Sequence, residues 1–397
     1  MRVLFVNDGI SDVGGVQVYI DTVAAELRSR GTTQAIAYCT DSGPSDPDSA
    51  SHWLPRFHVA GPQADEAFEA IRRWAPDVCY AHNMSDLSVE HRLATIAPIV
   101  KFMHGYFGTC LGGQKMHGFP VPQACHRAFG PACIALFLPR RCGRFSPTVL
   151  MEELRWARAQ RTLFAQYAAI VVGSDHMRDE YVRNGIPAAA VHVDPLFTSR
   201  PVSEHAAAEP SGDRVGFLGR MTRLKGGDLL VAAVRHASRR AGRPIPLTMI
   251  GDGPQRAQWE TQAAHMGVQA TFTGWVTGAA RWELLRTCAV VALPSVWPEP
   301  FGLVGLEAGA LGVPAVAADV GGVRQWLRDG VNGVLVPAPA TPESFGDALA
   351  QLLDDPARAR ALGDGARKVS REMTVTRHVD RLEPILRSAA VRADAVA

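Results

Sequence analysis

The sequence predicts an α/β protein of two domains, each with a parallel sheet covered by helices on both faces. Short β-branched and apolar runs alternate with helix-period stretches over almost the whole chain, a pattern typical of parallel sheets. A chain of 397 residues is also long for a single hydrophobic core. Residues 198–213, rich in Pro, Ser, Ala and charge and without periodicity, divide it near the middle. We therefore expect two Rossmann-like domains that face each other across a cleft.

The predicted elements follow in order along the chain. Val16, Ile20, Val23 and Leu27 recur at helical spacing after the first strand, and Gly31 ends that helix. The predicted strands of the first half are 2–7, 34–39, 77–83, 99–105 and 169–174. Those of the second half are 214–219, 246–253, 270–275, 290–295 and 312–318. Because ligands of such sheets bind beyond the carboxyl ends of the strands, motifs at those ends carry the most weight.

Composition excludes several function classes. Lys and Arg number 41 against 39 Asp and Glu, so no large basic field exists to bind nucleic acid. The first strand is followed early by polar Asn7, which leaves too short an apolar run for a signal-peptide core. The longest clean apolar run, near 133–138, is too short to span a bilayer. We expect a cytoplasmic protein.

A glycine pair precedes the first helix. Gly14 and Gly15 lie where exposed backbone N–H groups and the helix dipole favour an anion. A tight turn that needs glycine explains them equally well. No third glycine follows at dinucleotide-fingerprint spacing, so a nicotinamide dehydrogenase is disfavoured.

Two cations open the first helix of the second domain. Arg220 closes the strand and Lys225 precedes the helix that begins near Gly226. A cation is disfavoured at a helix N-terminus, so an anion in the same place is the better explanation, and a diphosphate fits. The alternative is a pair of solvated charges neutralised by Asp228 or Glu260.

Two carboxylates lie in one of the least polar stretches of the chain, SVWPEPFGLVGLEA at 295–308. Glu299 lies in the turn before a short helix, and Glu307 lies in the helix itself. The backbone N–H groups of Gly302, Leu303 and Val304 are free donors at the helix start. Carboxylates on either side of an anion-binding helix start suit a ligand with phosphates in the middle and hydroxyls at both ends, which describes a nucleotide sugar.

These motifs together resemble a known family. The glycine pair, HG after the fourth strand, GRxxxxK, GDGP and E-P-F-G-x-x-x-x-E are similar to those of the retaining glycosyltransferases of family four, which have the GT-B fold. The similarity covers nearly the whole chain. Its most specific part is the E-x7-E element with the upstream Arg and Lys.

The resemblance implies a domain plan. Residues 1–200 would form an N-terminal Rossmann-like acceptor domain that contains the cysteine-bearing loop 106–148. Residues 213–373 would form a C-terminal Rossmann-like domain for the nucleotide sugar. Residues 374–397 would form a helix that returns to the first domain.

The resemblance also implies roles for single residues. Gly14 and Gly15 would approach the donor phosphates, and His104 would lie near the anomeric carbon and the 6-hydroxyl of the sugar. Taken alone, His104 is more simply a hydrogen-bonded histidine at a strand end. Glu307 would take the ribose hydroxyls and Glu299 the hydroxyls of the donor sugar. The catalytic set implied is His104, Arg220, Lys225 and Glu299, and the donor-binding set adds Gly14, Gly15, Phe301, Gly302, Leu303, Val304 and Glu307.

The reaction implied moves a hexose from a nucleotide diphosphate, a UDP-sugar in the first instance, to an acceptor hydroxyl with retention of configuration. The family belongs to the synthesis of bacterial-type glycans and glycoconjugates, so the acceptor would be a glycan, a lipid-linked sugar or a small molecule. No cofactor or metal is needed for catalysis, because cations stabilise the developing charge. The closest rival is a nucleotide-sugar epimerase or hydrolase of the same fold. A periplasmic sugar-binding protein would need an export signal, and we expect none here.

The long loop 106–148 departs from this pattern. Of the seven cysteines of the chain, it holds Cys110, Cys125, Cys133 and Cys142. A structural zinc ion, free thiols, disulfides and an iron–sulfur centre all remain open, since no C-x2-C spacing occurs. The remaining three, Cys39, Cys79 and Cys288, lie in apolar strands and are expected to be inert.

The same loop raises the question of a membrane. Phe137, Leu138, Arg140 and Arg141 combine apolar and basic side chains that would suit contact with a membrane surface bearing a lipid-linked acceptor. The enzyme would then be peripheral at the inner face of the membrane. A buried anchor of the loop is the commoner explanation of such residues.

Overall fold

The structure is a computed structural model that describes residues 1–10, 15–41, 53–198, 212–276 and 278–394. Contacts divide the chain into two compact units. The first contains residues 1–115, 126–199 and those from Val375 onward, and the second contains 116–125 and 200–374. The predicted N-terminal domain included all of loop 106–148, whereas residues 116–125 group with the second unit.

The first unit is built on a parallel sheet. Its strands are β1 (Arg2–Ile10), β2 (Thr33–Asp41), β3 (Arg56–His58), β4 (Val78–Ala81), β5 (Ile99–Met103), β8 (Tyr167–Val172) and β9 (Val191–Val193). In the described part of the chain they lie in the order β3-β2-β1-β4-β5-β8-β9. Because β4 and β5 are neighbours in register, the residues that follow them lie side by side. This adjacency positions His82 and His104.

Helices cover the first sheet. They are α1 (Gly15–Ser29), α2 (Ala64–Trp74), α3 (Leu87–Leu93), α4 (Pro131–Phe137), α5 (Pro147–Leu163), α6 (Asp175–Arg183) and the C-terminal α13 (Val375–Asp394). Helix α13 buries Val379, Leu382 and Leu386 in one core cluster with Val23 of α1 and Phe102 of β5. Helix α13 therefore belongs to the core of the first unit.

The second unit has its own parallel sheet. Its strands are β10 (Arg214–Leu218), β11 (Leu247–Ile250), β12 (Ala270–Gly274), β13 (Cys288–Leu293), β14 (Ala315–Ala318) and β15 (Gly333–Val336). Among the described residues their order is β12-β11-β10-β13-β14-β15. A small antiparallel hairpin, β6 (Met116–His117) with β7 (Gln123–Ala124), belongs to the same unit. Because β13 pairs with β10, the loops that follow these two strands are neighbours.

The helices of the second unit are α7 (Gly227–Ala241), α8 (Arg256–Met266), α9 (Gly278–Arg286), α10 (Leu303–Ala310), α11 (Pro342–Leu353) and α12 (Pro356–Glu372). Helix α11 begins at a capping box, in which the side chains of Thr341 and Ser344 each accept a hydrogen bond from the backbone N–H of the other residue. The predicted strands of both halves are present with small shifts of their ends. Strands β3, β9 and β15 and the β6–β7 hairpin were not predicted from the sequence, because they are short and carry little periodicity.

Candidate active site

Lys225 and Glu299 form an ion pair in the second unit. Lys225 ends a short 3₁₀ turn after β10, and its Nζ donates to Glu299 Oε1 at 2.7 Å. The backbone holds the two loops together, since the N–H of Val296 donates to the carbonyl of Leu224 at 3.0 Å. Gly226 has a φ of 65°, and a Cβ there would lie 2.0 Å from the carbonyl oxygen of Pro294. Only glycine therefore allows this close approach.

The Glu299 carboxylate is buried, with 4% of the residue exposed. Its Oε1 accepts from Lys225, from Ser295 Oγ at 2.5 Å and from Trp297 Nε1 at 3.0 Å. These three donors give the buried carboxylate the hydrogen-bond partners that a buried polar group needs. Lys225 was predicted to bind a diphosphate and Glu299 to bind a sugar, and in the structure these two side chains bind each other.

Arg281 is a site residue that sequence reasoning missed. Its Nη2 donates to Glu307 Oε1 at 3.1 Å, and its guanidinium lies 4.5 Å from the ring centre of Trp282. Burial raises the pKa of the Glu307 carboxyl, and Arg281 opposes that rise. The Nε of Arg281 is buried and has no hydrogen-bond partner in the part of the chain that the structure describes. Arg281 and Glu307 lie on different helices, α9 and α10. No local spacing in the sequence therefore indicates that they pair.

The start of α10 lies between the two glutamates. Gly302 caps the helix with a φ of 83°, and Gly302, Leu303 and Val304 are partly exposed while Phe301 is buried. Trp326 fixes the turn, because its Nε1 donates to the carbonyl of Phe301 at 2.7 Å. The N–H groups of a first helical turn have no acceptor within the helix. This partly exposed turn can therefore bind an anion.

Arg220 is exposed in the turn after β10 and takes part in no ion pair with the described residues. The GDGP segment supports its turn, since Met221 N–H donates to the Asp252 carbonyl at 2.7 Å. Glu260, one of the neutralising partners considered from the sequence, binds Arg256 instead at 2.8 Å. Arg220 is thus a cation available to a ligand.

His104 follows β5 in the first unit. Its Nε2 lies 3.1 Å from Nδ1 of His82, a fully buried residue that follows β4. Burial, with a contribution from the charge of Lys101, lowers the pKa of His104 to about 3. The imidazole is therefore neutral near pH 7, where it can hydrogen-bond a hydroxyl but does not act as a cationic acid. The sequence did not indicate His82.

Of the glycine pair, Gly14 lies outside the described residues. Gly15 is exposed as the first residue of α1, and a Cβ there would meet no atom of the described residues within 4 Å. The protein itself does not require glycine at Gly15 through packing. Open space at this helix start is compatible with a ligand that approaches the backbone.

The four loop cysteines are not gathered into one site. Cys110, Cys133 and Cys142 belong to the first unit and Cys125 to the second, and none of the four forms a disulfide bond with a described residue. Among the described residues no three His, Cys, Asp or Glu side chains are grouped so as to hold a metal ion. The arrangement gives no support to a structural zinc site and none to the disulfides considered.

The cysteines in the strands behave as expected. Burial raises the pKa of Cys39 and Cys288 to about 11 and that of Cys79 to about 12. These thiols stay protonated near neutral pH and are poor nucleophiles.

Phe137, one of the two apolar residues proposed to contact a membrane, is not exposed. Phe137 is buried in a cluster with Leu111, Leu154 and Ala157. Phe137 therefore anchors the loop to the core of the first unit, because burial of its apolar ring stabilises the fold. No helix in the described ranges is long and apolar enough to cross a bilayer.

Comparisons with known proteins identify the family of the chain. A model of the glycosyl transferases group 1 matches residues 204–369, and one of glycosyltransferase family 4 matches residues 13–196. These matches cover both units in turn. The chain belongs to glycosyltransferase family 4.

Curated relatives support the same placement. A D-inositol 3-phosphate glycosyltransferase from Saccharomonospora viridis is 31% identical over 414 residues, which cover 96% of this chain and 90% of that protein. One from Nocardia farcinica is 35% identical, with 89% and 80% covered. An alpha-D-kanosaminyltransferase from Streptomyces kanamyceticus is 30% identical over 239 residues, or 55% of this chain and 61% of that protein.

Solved structures show the fold. HepE from Anabaena, in complex with UDP and glucose, has a TM-score of 0.72 at 20% identity and covers 98% of this chain and 100% of its own. Sucrose-phosphate synthase from Thermosynechococcus elongatus has a TM-score of 0.68 at 20% identity, with 100% and 98% covered. The predicted GT-B fold of two Rossmann-like units is confirmed.

Proposed function

We propose that the protein transfers a hexose from a UDP-sugar to an acceptor hydroxyl with retention of configuration at the anomeric carbon. The Lys225–Glu299 pair carries this proposal, because it places an ammonium and a buried carboxylate beside a partly exposed helix start. The UDP complexes of HepE support the choice of nucleotide.

The donor diphosphate would bind the N–H groups of Gly302, Leu303 and Val304, together with Arg220 and Lys225. As the bond between the anomeric carbon and the diphosphate oxygen breaks, negative charge grows on the leaving phosphate. Fixed cations and N–H groups stabilise that charge without a metal ion. We therefore propose that catalysis needs no metal or other cofactor.

Glu299 and Glu307 would hold opposite ends of the donor. Glu299 binds hydroxyls of the hexose, and its charge stabilises the positive charge that develops on the ring. Glu307 binds the ribose hydroxyls, and Arg281 is its hydrogen-bonded partner until the nucleotide arrives. Each carboxylate has an alternative partner in the free enzyme, so neither is left as an unpaired buried charge.

The acceptor hydroxyl would attack from the face that the diphosphate leaves, and its proton passes to the departing diphosphate. This route accounts for every atom with no covalent enzyme intermediate. His104, being neutral, hydrogen-bonds the 6-hydroxyl of the hexose. The predicted location in the cytoplasm, with or without contact at the inner membrane face, stays a prediction.

Incubation with UDP-glucose alone tests the proposal. A transferase releases UDP and glucose slowly in the absence of an acceptor. When an added alcohol takes the place of water, a retaining transfer gives the α-glucoside of that alcohol together with UDP. Appearance of an epimerised UDP-sugar would establish the epimerase instead. A Lys225→Ala variant that kept full hydrolysis would remove the role given to the ion pair.

A further inference from the structure

Two histidines of the first unit form a hydrogen-bonded pair at the ends of neighbouring strands. His82 follows β4 and His104 follows β5. Nδ1 of His82 lies 3.1 Å from Nε2 of His104. Burial lowers the pKa of His82 well below its usual range and that of His104 to about 3. Near pH 7 both rings are therefore neutral, and each carries a single N–H.

The pair can arrange its two N–H groups in two ways. In the first, Nδ1–H of His82 donates to Nε2 of His104, and His104 carries its own proton on Nδ1. In the second, Nε2–H of His104 donates to Nδ1 of His82, and His82 carries its own proton on Nε2. The surroundings of the His82 Nε2 atom decide between them, because that atom holds a lone pair in the first arrangement and an N–H in the second.

The Nε2 atom of His82 is enclosed by aromatic rings. It is buried and has no hydrogen-bond partner among the described residues. Ring centroids lie 4.5–6.3 Å from that of His82 for Phe5, Tyr19, Tyr80 and Phe102. Among backbone groups a buried N–H without an acceptor is rarer than an acceptor without a full set of donors, and we apply the same order to imidazole. The first arrangement is therefore the more stable, and it places the His104 proton on Nδ1.

The hydroxyl groups beside His82 are engaged elsewhere. Those of Tyr19 and Tyr80 bond each other at 2.6 Å, and that of Tyr19 also lies 2.6 Å from Nε2 of His378 on α13. These contacts draw both hydroxyls away from the Nε2 of His82. The His82 ring is thus left with Nδ1 as its one hydrogen-bonding atom within the described chain.

The main chain and the ring of His82 are both held in place. The carbonyl of His82 accepts from the buried Lys101 ammonium, which also donates to Glu90 Oε1 at 2.5 Å. The ring is fully buried and lies nearly parallel to that of Phe5, with 10° between the planes. His82 therefore keeps its Nδ1 directed at His104.

His104 differs from His82 in being partly exposed. Its hydrogen bond to His82 is the one that it makes with the described residues. With its proton on Nδ1, the ring has an N–H to offer a ligand. This N–H can donate to an oxygen atom but cannot accept a proton from a hydroxyl.

We propose that His82 is a positioning residue that fixes His104 as a hydrogen-bond donor to the 6-oxygen of the donor hexose. Nδ1–H of His82 donates to Nε2 of His104, and Nδ1–H of His104 donates to that oxygen. A site built to hydrogen-bond a substrate group rejects the analogue that lacks it, because its own polar group is left unpaired. The enzyme therefore prefers donors with an acceptor at C6 over 6-deoxy sugars. This assignment rests on the glycosyl transfer proposed above and specifies how the donor is recognised.

The tautomers can be observed without any substrate. Proton–nitrogen correlation NMR of the full chain, with isotope-labelled histidine, distinguishes an Nδ1–H from an Nε2–H imidazole. We expect His82 and His104 both to be Nδ1–H tautomers near pH 7, with signals assigned through His82→Asn and His104→Asn. An Nε2–H tautomer at His104 would overturn the proposal, whether or not the chain transfers a sugar.

Donor analogues test the consequence for specificity. UDP-glucose carries a hydroxyl at C6, its 6-deoxy-6-fluoro analogue carries an acceptor alone, and its 6-deoxy analogue carries neither. We expect the 6-deoxy donor to lose about tenfold in kcat/KM, as one N–H left unpaired costs, and the fluoro donor to lose less. Equal losses with the two analogues would contradict a donating His104.

Variants at His82 connect this preference to the pair. His82→Asn retains an N–H donor and should keep the preference for the fluoro over the 6-deoxy donor, whereas His82→Leu should abolish it and leave UDP affinity unchanged. The matched control is His265→Leu, because His265 is an exposed histidine on α8 and should affect neither. A preference that survives His82→Leu would refute the role of His82. Absence of turnover with UDP-glucose itself would contradict the transfer reaction, and the tautomer of His104 would still decide the role of His82.

Discussion

The division of labour between Glu299 and Glu307 gives the sharpest prediction. In the free enzyme the Lys225 ammonium is 2.7 Å from Glu299 Oε1. A bound diphosphate must share that ammonium with Glu299 or take it over. Glu299→Gln removes the competing charge, so UDP affinity should stay the same or rise by up to about tenfold, which corresponds to about 1.4 kcal/mol. Turnover should nevertheless fall about a hundredfold, because the charge that the transition state uses is gone.

Glu307→Gln should behave differently. Its carboxylate binds ribose in every nucleotide ligand, and a charged hydrogen bond contributes about 1.5–3 kcal/mol. UDP and the UDP-sugar should therefore both bind about tenfold or more weakly. The matched control is Glu283→Gln, because Glu283 is an exposed acid on α9. This variant should bind UDP as tightly as the wild type does.

Calorimetry with UDP on the three variants makes the comparison directly, and steady-state rates with a UDP-sugar give the turnover. Equal losses of UDP affinity in Glu299→Gln and Glu307→Gln would show that the two acids act as one structural unit. The separate roles proposed for them would then be wrong.

Further predictions concern catalysis, packing, acidity and metal content. Arg220→Ala should lower kcat/KM by about a hundredfold with an unchanged melting temperature, because its side chain is exposed and unpaired within the described chain; a near-normal rate would contradict this. Gly305→Ala should destabilise the chain by about 1–3 kcal/mol in chemical denaturation, since a Cβ there would lie 1.9 Å from the Trp326 ring; unchanged stability would show that this contact relaxes freely. The pKa of His104 falls from 6.5 to about 3 on folding, so the unfolded chain binds the extra proton between these values and stability drops as pH falls through them. In His104→Asn the melting temperature should therefore change less between pH 4 and pH 7 than in the wild type. An identical change of melting temperature with pH would contradict the burial of the His104 ring. Elemental analysis of chain purified without affinity metal should find zinc well below one per chain, and a full equivalent would require the loop cysteines to move together.

The sequence by itself determined the architecture and singled out most of the residues that we propose for the donor site. Alternating apolar runs and helix-period stretches reflect local burial along each element, so they predict two parallel sheets without knowledge of their contacts. The sequence also identified Lys225, Glu299 and Glu307 as candidate binding residues. A charge at a helix start or in an apolar stretch needs a partner. The short strands β3, β9 and β15 were missed, since a few residues carry too little periodicity.

Only the tertiary structure decided which of these groups meet. Lys225 and Glu299 are 74 positions apart and touch because β10 and β13 are neighbours in the sheet, an order that local patterns do not encode. The partnership of Arg281 with Glu307 depends in the same way on how helices pack. The four loop cysteines are close in sequence, yet no three His, Cys, Asp or Glu side chains of the described residues are grouped to hold a metal ion, and residues 116–125 belong to a different unit from the rest of the loop. Side-chain pairing at long range is a property of packing, and packing sums contacts from the whole chain.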